Sequence, residues 1–256
     1  ARVLGVVPPR GGGKHDESVR AAVDRIVGEV MLEHRRTGCT VVGVTAPRRI
    51  SGTSTTASDL AVGLARRGLN VLLVDADVRH PAQHDLHRLP LFPGLADCLR
   101  GDEVAERRTT DGVRVLPAGF SSAPSDLLGH RNLVDLLERA RQDNDVVIVD
   151  VGSLEHPEAL LVAALTDRVV VCAVPGRTTA NELDDALTAL GRDNLAGLAL
   201  VKVTRTPARP QVLVVPNDAT PPAPPAPPKA PVSAAAPRTT CAPTYRWADL
   251  LSTTPT

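Results

Sequence analysis

Aromatic side chains are scarce in this chain of 256 residues. Phenylalanine, tryptophan and tyrosine together make up 2 % of it, which is too few for the stacking platforms on which single-stranded nucleic acids are held. A surplus of one charge is also missing, because 29 basic residues balance 29 acidic ones. Without a basic surplus the chain has no electrostatic attraction for a polyanion. We therefore expect no nucleic-acid partner.

Long apolar runs and paired cysteines are missing as well. No run of hydrophobic residues approaches the ~20 that a membrane-spanning helix needs, so the chain is not expected to cross a bilayer by itself. The four cysteines form no C-x-x-C pair, which argues against a zinc ribbon. The only methionine is Met31 and residue 1 is Ala, so we expect the chain to be a fragment or a processed product.

Proline is distributed unevenly and divides the chain. Residues 205–256 hold 13 of the 23 prolines, and such a composition favours extended conformations and leaves little apolar surface to bury. We expect a Pro-rich disordered tail over 205–256, an approach linker over 1–16 and a folded domain over 17–204. The tail is either a spacer or a docking motif for a partner.

Residues 17–204 alternate between two patterns. Short β-branched runs are typical of strands buried on both faces, and stretches of helical period lie between them. The runs are Thr40–Thr45, Asn70–Val74, Val113–Leu116, Val146–Val149, Val169–Val174 and Leu198–Val203. The helical stretches are Glu17–Arg36, Ser54–Arg67, Ser125–Arg141, Pro157–Leu165 and Thr179–Leu190. This alternation predicts an α/β fold, a mostly parallel sheet with helices on both faces.

Polar residues follow the first of these strands at its carboxyl end, where parallel sheets bind ligands. The stretch after Thr45 has the place and length of a phosphate-binding loop, which in working form reads G-x-x-x-x-G-K-[ST]. Gly52 and Ser54 match this pattern, but Thr53 takes the position of the lysine and Pro47 that of the first glycine. An ordinary strand-to-helix turn, capped by Ser or Thr, is the alternative interpretation.

Acidic residues follow two more strands. Asp75 and Asp77 follow a strand and are two positions apart, so their side chains point the same way. This spacing suits Mg²⁺ coordination or proton abstraction. Asp150 ends the hydrophobic run that begins at Val146, as in a Walker B element. Acidic residues also cap turns and helices, which is the alternative for the pair. The first strand end is followed by a turn with hydroxyl side chains, the second by two acidic residues and the third by one. Together these three strand ends predict a nucleotide site of P-loop type.

Several segments resemble one family in order and spacing. The segment 71–81 reads VLLVDADVRHP, and it is followed by GLADCLRG at 94–101, LPAG at 116–119 and APSDLL at 123–128. Residues 3–8 are similar to the approach segment of that family, and residues 17–20 to its first-helix motif. The chain thereby resembles the cytoplasmic domain of bacterial tyrosine kinases of the polysaccharide co-polymerase type, a branch of the MinD/ParA-like P-loop ATPases.

This resemblance fixes the register of the loop and implies the site. Ile50 falls where the family has glycine, Thr53 replaces the lysine, and Ser54 keeps the hydroxyl that holds Mg²⁺. The residues implied to bind nucleotide are Gly52, Thr53, Ser54 and Thr55. The residues implied to be catalytic are Asp75, Asp77 and Asp150. The Mg²⁺ ligands implied when nucleotide binds are Ser54, Asp77 and Asp150.

The missing lysine bears on activity. A unit charge pair at ~4 Å is worth about 1–4 kcal/mol between water and a surface-like dielectric. We therefore expect a degenerate tyrosine-kinase-like domain with a degenerate Walker A, weak binding of Mg-ATP and weak or absent catalysis. It would be a regulator or scaffold in exopolysaccharide or capsule biosynthesis. The alternatives are an active ATP-dependent tyrosine autokinase, with Asp75 as the base, and a ParA/MinD-like ATPase switch.

The resemblance also implies partners and a location. The expected partners are a membrane co-polymerase region or the envelope polysaccharide machinery, and a second copy of the chain through the helix that carries Glu17 and Arg20. The expected location is the cytoplasmic face of the plasma membrane, as part of a larger membrane protein. Tyr245 is the only tyrosine, so it is the only residue of the chain that could accept a phosphoryl group on tyrosine.

Overall fold

The structure is a computed structural model that describes residues 3–7, 14–38, 40–50, 52–128, 131–191 and 193–201. For residues 6, 14–20 and 37 it describes the backbone alone. The predicted Pro-rich tail over 205–256 lies outside the described residues. The motif at residues 17–20 lies on a described helix, but its side chains do not belong to the described part.

The described residues form eight strands and eight helices in alternation. The strands are β1 (Val3–Val7), β2 (Thr40–Ala46), β3 (Val71–Asp75), β4 (Arg107–Arg108), β5 (Arg114–Leu116), β6 (Val146–Ser153), β7 (Arg168–Ala173) and β8 (Leu195–Val201). The helices are α1 (Lys14–Thr37), α2 (Thr53–Ala65), α3 (Gln83–Leu86), α4 (Leu95–Arg100), α5 (Pro124–Leu128), α6 (Arg131–Asp143), α7 (Pro157–Ala164) and α8 (Ala180–Leu190).

All eight strands belong to one sheet in the order β1-β8-β7-β2-β6-β3-β5-β4. Neighbouring strands are parallel except for β4 and β5 at one edge. Alternate residues of the central strands enter two separate buried clusters, one with α1 and α2 and one with α4, α6 and α7. The predicted α/β fold, mostly parallel with helices on both faces, is confirmed.

The amino-terminal segment differs from its prediction as a linker. Val3–Val7 forms an edge strand that pairs in parallel with β8, and Leu4 and Val7 are buried in the cluster beneath α1. Gly5 allows the close approach, because a Cβ there would come within 2.9 Å of the Ala22 carbonyl oxygen. Gly5 interrupts the short apolar run of this segment, so the strand is defined by its pairing with β8 and its cover by α1.

The centre of the sheet brings three strand ends together. β6 lies between β2 and β3, so the carboxyl ends of these strands are neighbours. A bulge shifts the β2–β6 register between Val44 and Thr45, after which Thr45 lies opposite Gly152. The Thr45 hydroxyl donates a hydrogen bond to the Gly152 carbonyl oxygen at 2.8 Å. The residues after β2, β3 and β6 therefore face one region of space.

Candidate nucleotide site

The loop between β2 and α2 closes on a glycine in the left-handed region. Gly52 has φ 107° and precedes the first residue of α2. Its carbonyl oxygen accepts hydrogen bonds from the Thr56 amide at 2.9 Å and the Thr56 hydroxyl at 2.7 Å. A Cβ at this position would come within 2.6 Å of a Val201 methyl group. Both the dihedral angle and the close contact require glycine here.

A pocket of about 300 Å³ opens between this loop and the segments that follow β3 and β6. Its wall contains all four residues predicted to bind nucleotide, namely Gly52, Thr53, Ser54 and Thr55. Residues from the other two strand ends complete the wall: Asp77, His80, Pro81, Ala82, Asp85, Leu86, Gly152 and Ser153. Arg48, Arg49 and Ile50 line the side of the loop nearest β2. The structure therefore brings the predicted loop to a cavity at the carboxyl edge of the sheet.

Two residues of the loop occupy positions where the resemblance expects others. Thr53 stands in the lysine position and is buried, so no cation projects from the start of α2. Ile50 stands in a glycine position and packs, half-buried, against the cluster beneath α1 and α2. Ile50 thus holds the loop to the core through apolar contact. The start of α2 therefore supplies no positive side chain to the pocket, and the arginines of its wall, Arg48 and Arg49, come from the loop.

Asp75 and Asp150 lie together behind the pocket. They are register partners on β3 and β6, and each is 0 % exposed. The Ala76 amide donates to the Asp150 carbonyl oxygen at 2.9 Å, which continues the pairing past the strand end. The prediction placed Asp150 among the Mg²⁺ ligands and both acids in the catalytic set, whereas in this structure neither residue belongs to the pocket wall.

Gln83 connects these acids to the loop. Its amide nitrogen Nε2 donates to Asp150 Oδ2 at 2.7 Å and to the Ser54 carbonyl oxygen at 2.9 Å. Its backbone N–H donates to Asp75 Oδ2 at 2.9 Å, and the Ala82 N–H donates to the same oxygen at 3.0 Å. One fully buried residue therefore joins β6 to the first turn of α2 through its side chain and holds Asp75 of β3 through its backbone N–H.

The electrostatics of the pair follow from burial. Burial raises the pKa of Asp75 well above its ordinary value, and the neighbouring Asp150 raises it further. Burial also raises the pKa of Asp150 to about 6, although the hydrogen bond from Gln83 lowers it in part. Oδ1 of each carboxyl group is buried and has no hydrogen-bond partner among the described residues. Such oxygens are costly to bury and are available to a ligand.

Of the three predicted acids, Asp77 is the one that reaches the pocket. Its Oδ1 accepts a hydrogen bond from the His80 amide at 3.0 Å, and its side chain remains partly exposed. Gly152 packs against it, since a Cβ on Gly152 would come within 2.6 Å of the Asp77 carboxyl carbon. Gly152 also has φ 80°. The bulge within β6 and the missing side chain of Gly152 thus leave room for the Asp77 carboxylate at the pocket wall.

The oxygen donors present fit a hard divalent cation. The Ser54 hydroxyl and Asp77 carboxylate line the pocket, and the unpartnered Oδ1 of Asp150 lies behind them. Carboxylate and hydroxyl oxygens are the ligands that Mg²⁺ takes beside nucleotide phosphates. Within the described ranges, no three His, Cys, Asp or Glu side chains are grouped as a metal site of their own. The phosphate side fits less well, because Thr53 supplies no charge.

The sequence analysis missed Gln83 and a second polar contact near it. Arg79 follows Asp77 and pairs with the buried Glu158 at the start of α7, and the Ser125 hydroxyl donates to the same carboxylate at 2.9 Å. These contacts tie the segment after β3 to α5 and α7. No periodicity reveals the helix that begins at Gln83, because the four residues of α3 are too few to show one.

The described part of the chain contains no helix that is both long enough and apolar enough to cross a membrane.

No protein-family model matches the chain. Among curated proteins, it is 30 % identical over 164 residues to the putative tyrosine-protein kinase EpsB of Ralstonia nicotianae, covering 62 % of this chain and 22 % of EpsB. It is 29 % identical to the succinoglycan biosynthesis transport protein ExoP of Rhizobium meliloti, covering 57 % of this chain and 20 % of ExoP.

A shorter relative is matched over more of its length. The tyrosine-protein kinase YwqD of Bacillus subtilis is 29 % identical over 176 residues, which cover 66 % of this chain and 69 % of YwqD. By contrast, the chain spans about a fifth of the length of EpsB and ExoP. The match to these longer proteins is therefore a match to one part of each.

Solved structures show the same likeness. The kinase domain of the Escherichia coli tyrosine kinase ETK superposes with a TM-score of 0.73 at 25 % identity, covering 80 % of this chain and 91 % of that domain. The cell division ATPase MinD of Pyrococcus furiosus shares the fold, with a TM-score of 0.55 at 19 % identity over 63 % of this chain and 71 % of MinD. The homologues of this chain are thus bacterial tyrosine-protein kinases, and its fold is the P-loop NTPase-like α/β fold of the ETK kinase domain.

Proposed function

We propose that this chain is a degenerate tyrosine-kinase-like domain that binds Mg-ATP weakly and transfers its phosphoryl group poorly or not at all. In this proposal it acts as a regulator or scaffold in exopolysaccharide or capsule biosynthesis. The relatives named above support the setting, since one of them is a succinoglycan biosynthesis transport protein. The structure of the loop supports the weak binding of Mg-ATP and the poor phosphoryl transfer.

The observation that carries the proposal is the buried Thr53 at the head of α2. In a working phosphate-binding loop, a lysine at this place reaches the β- and γ-phosphates. Its absence removes a contact worth about 1–4 kcal/mol, which corresponds to roughly 5- to 1000-fold in nucleotide affinity. Phosphoryl transfer depends almost entirely on position and charge, so catalysis suffers along with binding.

The remaining parts of the site have roles in this proposal. Mg²⁺, when bound with ATP, would neutralise phosphate charge. The Ser54 hydroxyl and the Asp77 and Asp150 carboxylates are the proposed ligands of the ion, with Gln83 holding Asp150 by its Oδ2. The amides at the start of α2, next to Gly52, face the phosphates as the positive end of a helix dipole. These residues would bind and orient the nucleotide.

A second candidate function is an active autokinase, and one observation favours it. The Oδ1 atoms of Asp75 and Asp150 are buried without partners among the described residues. The raised pKa of Asp75 is also typical of residues in catalytic sites. In that case Asp75 is the base toward a tyrosine hydroxyl. For a ParA/MinD-like ATPase switch, the only support is that the chain shares the fold of MinD.

We also propose that the domain acts at the cytoplasmic face of the plasma membrane, next to a membrane co-polymerase region or the polysaccharide machinery. Long relatives support this setting, because the chain matches about a fifth of EpsB and of ExoP and the rest of those proteins lies outside the match. Self-association through α1, which carries Glu17 and Arg20, belongs to the same proposal.

The test is to incubate the full chain with Mg-ATP and to measure phosphate on Tyr245 by mass spectrometry. We expect no appreciable phosphorylation, because Thr53 leaves the β- and γ-phosphates without a cation at the head of α2. Calorimetric titration in the same buffer should show weak binding. Tyr245→Phe is the matched control for the site of modification. Substantial phosphate on Tyr245 that disappears in Asp75→Asn would replace this proposal by the active autokinase.

A further inference from the structure

The loop that lacks a lysine carries two adjacent arginines. Arg48 and Arg49 both line the pocket beside Gly52 and Thr53. Either could in principle provide the positive charge that the phosphates of a nucleotide need, and the sequence alone does not separate them. Their surroundings in the structure are different, and this difference decides between them.

Arg48 is already engaged by two carboxylates. Its Nη1 lies 2.7 Å from Glu182 Oε1 at the start of α8, and its Nε lies 3.5 Å from Glu155 Oε1 after β6. Glu182 is itself fixed, because it forms a capping box with Thr179. The charge of Arg48 is therefore balanced by two acids that lie on neighbouring segments. Moving its guanidinium to a phosphate would break both ion pairs.

Arg49 has its backbone fixed and its side chain available. The Arg49 N–H donates to Glu155 Oε2 at 2.8 Å, and the Ser153 hydroxyl bonds the same carboxylate oxygen at 3.0 Å. The loop is thereby anchored to the end of β6 at this residue. The Arg49 guanidinium is exposed and forms no ion pair with any acidic side chain of the described residues.

We propose that Arg49 is the phosphate-binding cation of this pocket and takes over the role of the lysine that Thr53 replaces. Arg48 is instead a structural clamp that ties the loop to Glu155 and Glu182. The ligand class is the polyphosphate of a nucleoside triphosphate with Mg²⁺, and the inference rests on the proposed function of the same site. A guanidinium presents several N–H donors and pairs with two phosphate oxygens at once.

The experiment compares Arg49→Ala with Arg48→Ala, two changes of one chemistry at adjacent positions. Mg-ATP and inorganic tripolyphosphate are titrated into each full chain by calorimetry. We expect Arg49→Ala to weaken both ligands by about 5- to 20-fold, as charge-assisted hydrogen bonds at an exposed site do. Arg48→Ala should change them less than about twofold, since that charge is balanced within the protein. Unchanged melting temperatures show that the variants are folded.

A third variant separates a phosphate contact from a general effect of charge. In Thr53→Lys, the restored lysine takes over part of the phosphate charge, so Arg49→Ala in that background should cost clearly less than in the parent chain. Equal losses for Arg48→Ala and Arg49→Ala would overturn the assignment, and so would no loss for Arg49→Ala. If the parent chain binds Mg-ATP tightly and Arg49→Ala loses that binding, the assignment of Arg49 is supported and only the proposed weak binding is contradicted. Absence of any binding by the parent would overturn both.

Discussion

The acidic strand ends and the phosphate loop face the same pocket, but they are built in opposite ways. Asp75 and Asp150 are fully buried, close together, and fixed by Gln83. The loop is held by Ile50 and Glu155 at its flanks and keeps its charged groups in solvent. Burying two neighbouring carboxyl groups costs stability, whereas the loop has no such cost. The acidic half therefore holds its carboxyl groups in the interior, whereas the loop presents Arg48 and Arg49 to the pocket and has Thr53 where the resemblance expects lysine.

The largest expected effect comes from repairing the loop. Ile50→Gly with Thr53→Lys restores backbone access and the charge at the head of α2. We expect a gain of ~1–4 kcal/mol, which is roughly 5- to 1000-fold tighter binding of Mg-ATP, measured by calorimetric titration. Ile50 packs against the core, so the double variant should also melt at a lower temperature.

The control for the repair lies in the acidic half. The same two changes combined with Asp77→Asn should gain less, because the amide weakens the proposed Mg²⁺ site at the pocket wall. A folded double variant that binds no better than the parent would show that the loop and the acids do not share one ligand.

A second change breaks the acidic half. Gly152→Ala places a methyl group within 2.6 Å of the Asp77 carboxyl carbon and keeps φ at 80°. Crowding and the left-handed conformation together should cost about 2–4 kcal/mol of unfolding free energy, measured by urea denaturation. Gly68→Ala is the matched control, since Gly68 has φ 86° and nothing within 4 Å of its Cβ position. An equal loss in both variants would remove the Asp77 contact from the explanation.

A third change relieves the cost of the buried acids. The pKa of Asp150 is raised from its ordinary value of 3.8 to about 6, chiefly by burial. The folded state therefore holds its proton more tightly than the unfolded state, and the stability of the protein falls as the pH rises through this range. Asp150→Asn removes the charge but can still accept the Gln83 hydrogen bond. We expect it to add about 1–3 kcal/mol at pH 7.

The pH dependence distinguishes this explanation from a simple gain in packing. Urea denaturation of both chains at several pH values should show the advantage of Asp150→Asn above pH 6 and its decrease toward pH 4. An advantage that stays constant over this range would mean that the charge of Asp150 is not the cause.

The smallest effect is expected in the ion pairs of the loop. Arg48→Ala removes the contacts to Glu155 and Glu182, all three of which are partly exposed. Exposed pairs of this kind contribute little to stability, so the melting temperature should fall by only a few degrees. Raising the salt concentration should weaken the parent more than the variant. A large loss would show that the clamp holds the loop in place rather than only balancing its charge.

The sheet could be predicted because its strands are continuous apolar runs between stretches of helical period. β1 and α3 were not predicted, because Gly5 interrupts the short apolar run of β1 and four residues are too few for α3 to show a helical period. At the site, the order of three strand ends identified the loop and the acids. The position of Asp75 and Asp150 behind the pocket depends on the β3–β6 register, and the role of Gln83 depends on a contact 67 residues away along the chain. Neither is visible in local sequence.

The contact between Gly52 and Val201 couples two places that a linear reading of the chain keeps far apart. Val201 is the last residue of β8, and its methyl group occupies the space that a side chain at position 52 would need. The point at which the chain leaves the sheet is therefore also a wall of the ligand loop. If binding at the loop and binding at the end of β8 are coupled through this contact, each changes the affinity of the other by the same factor.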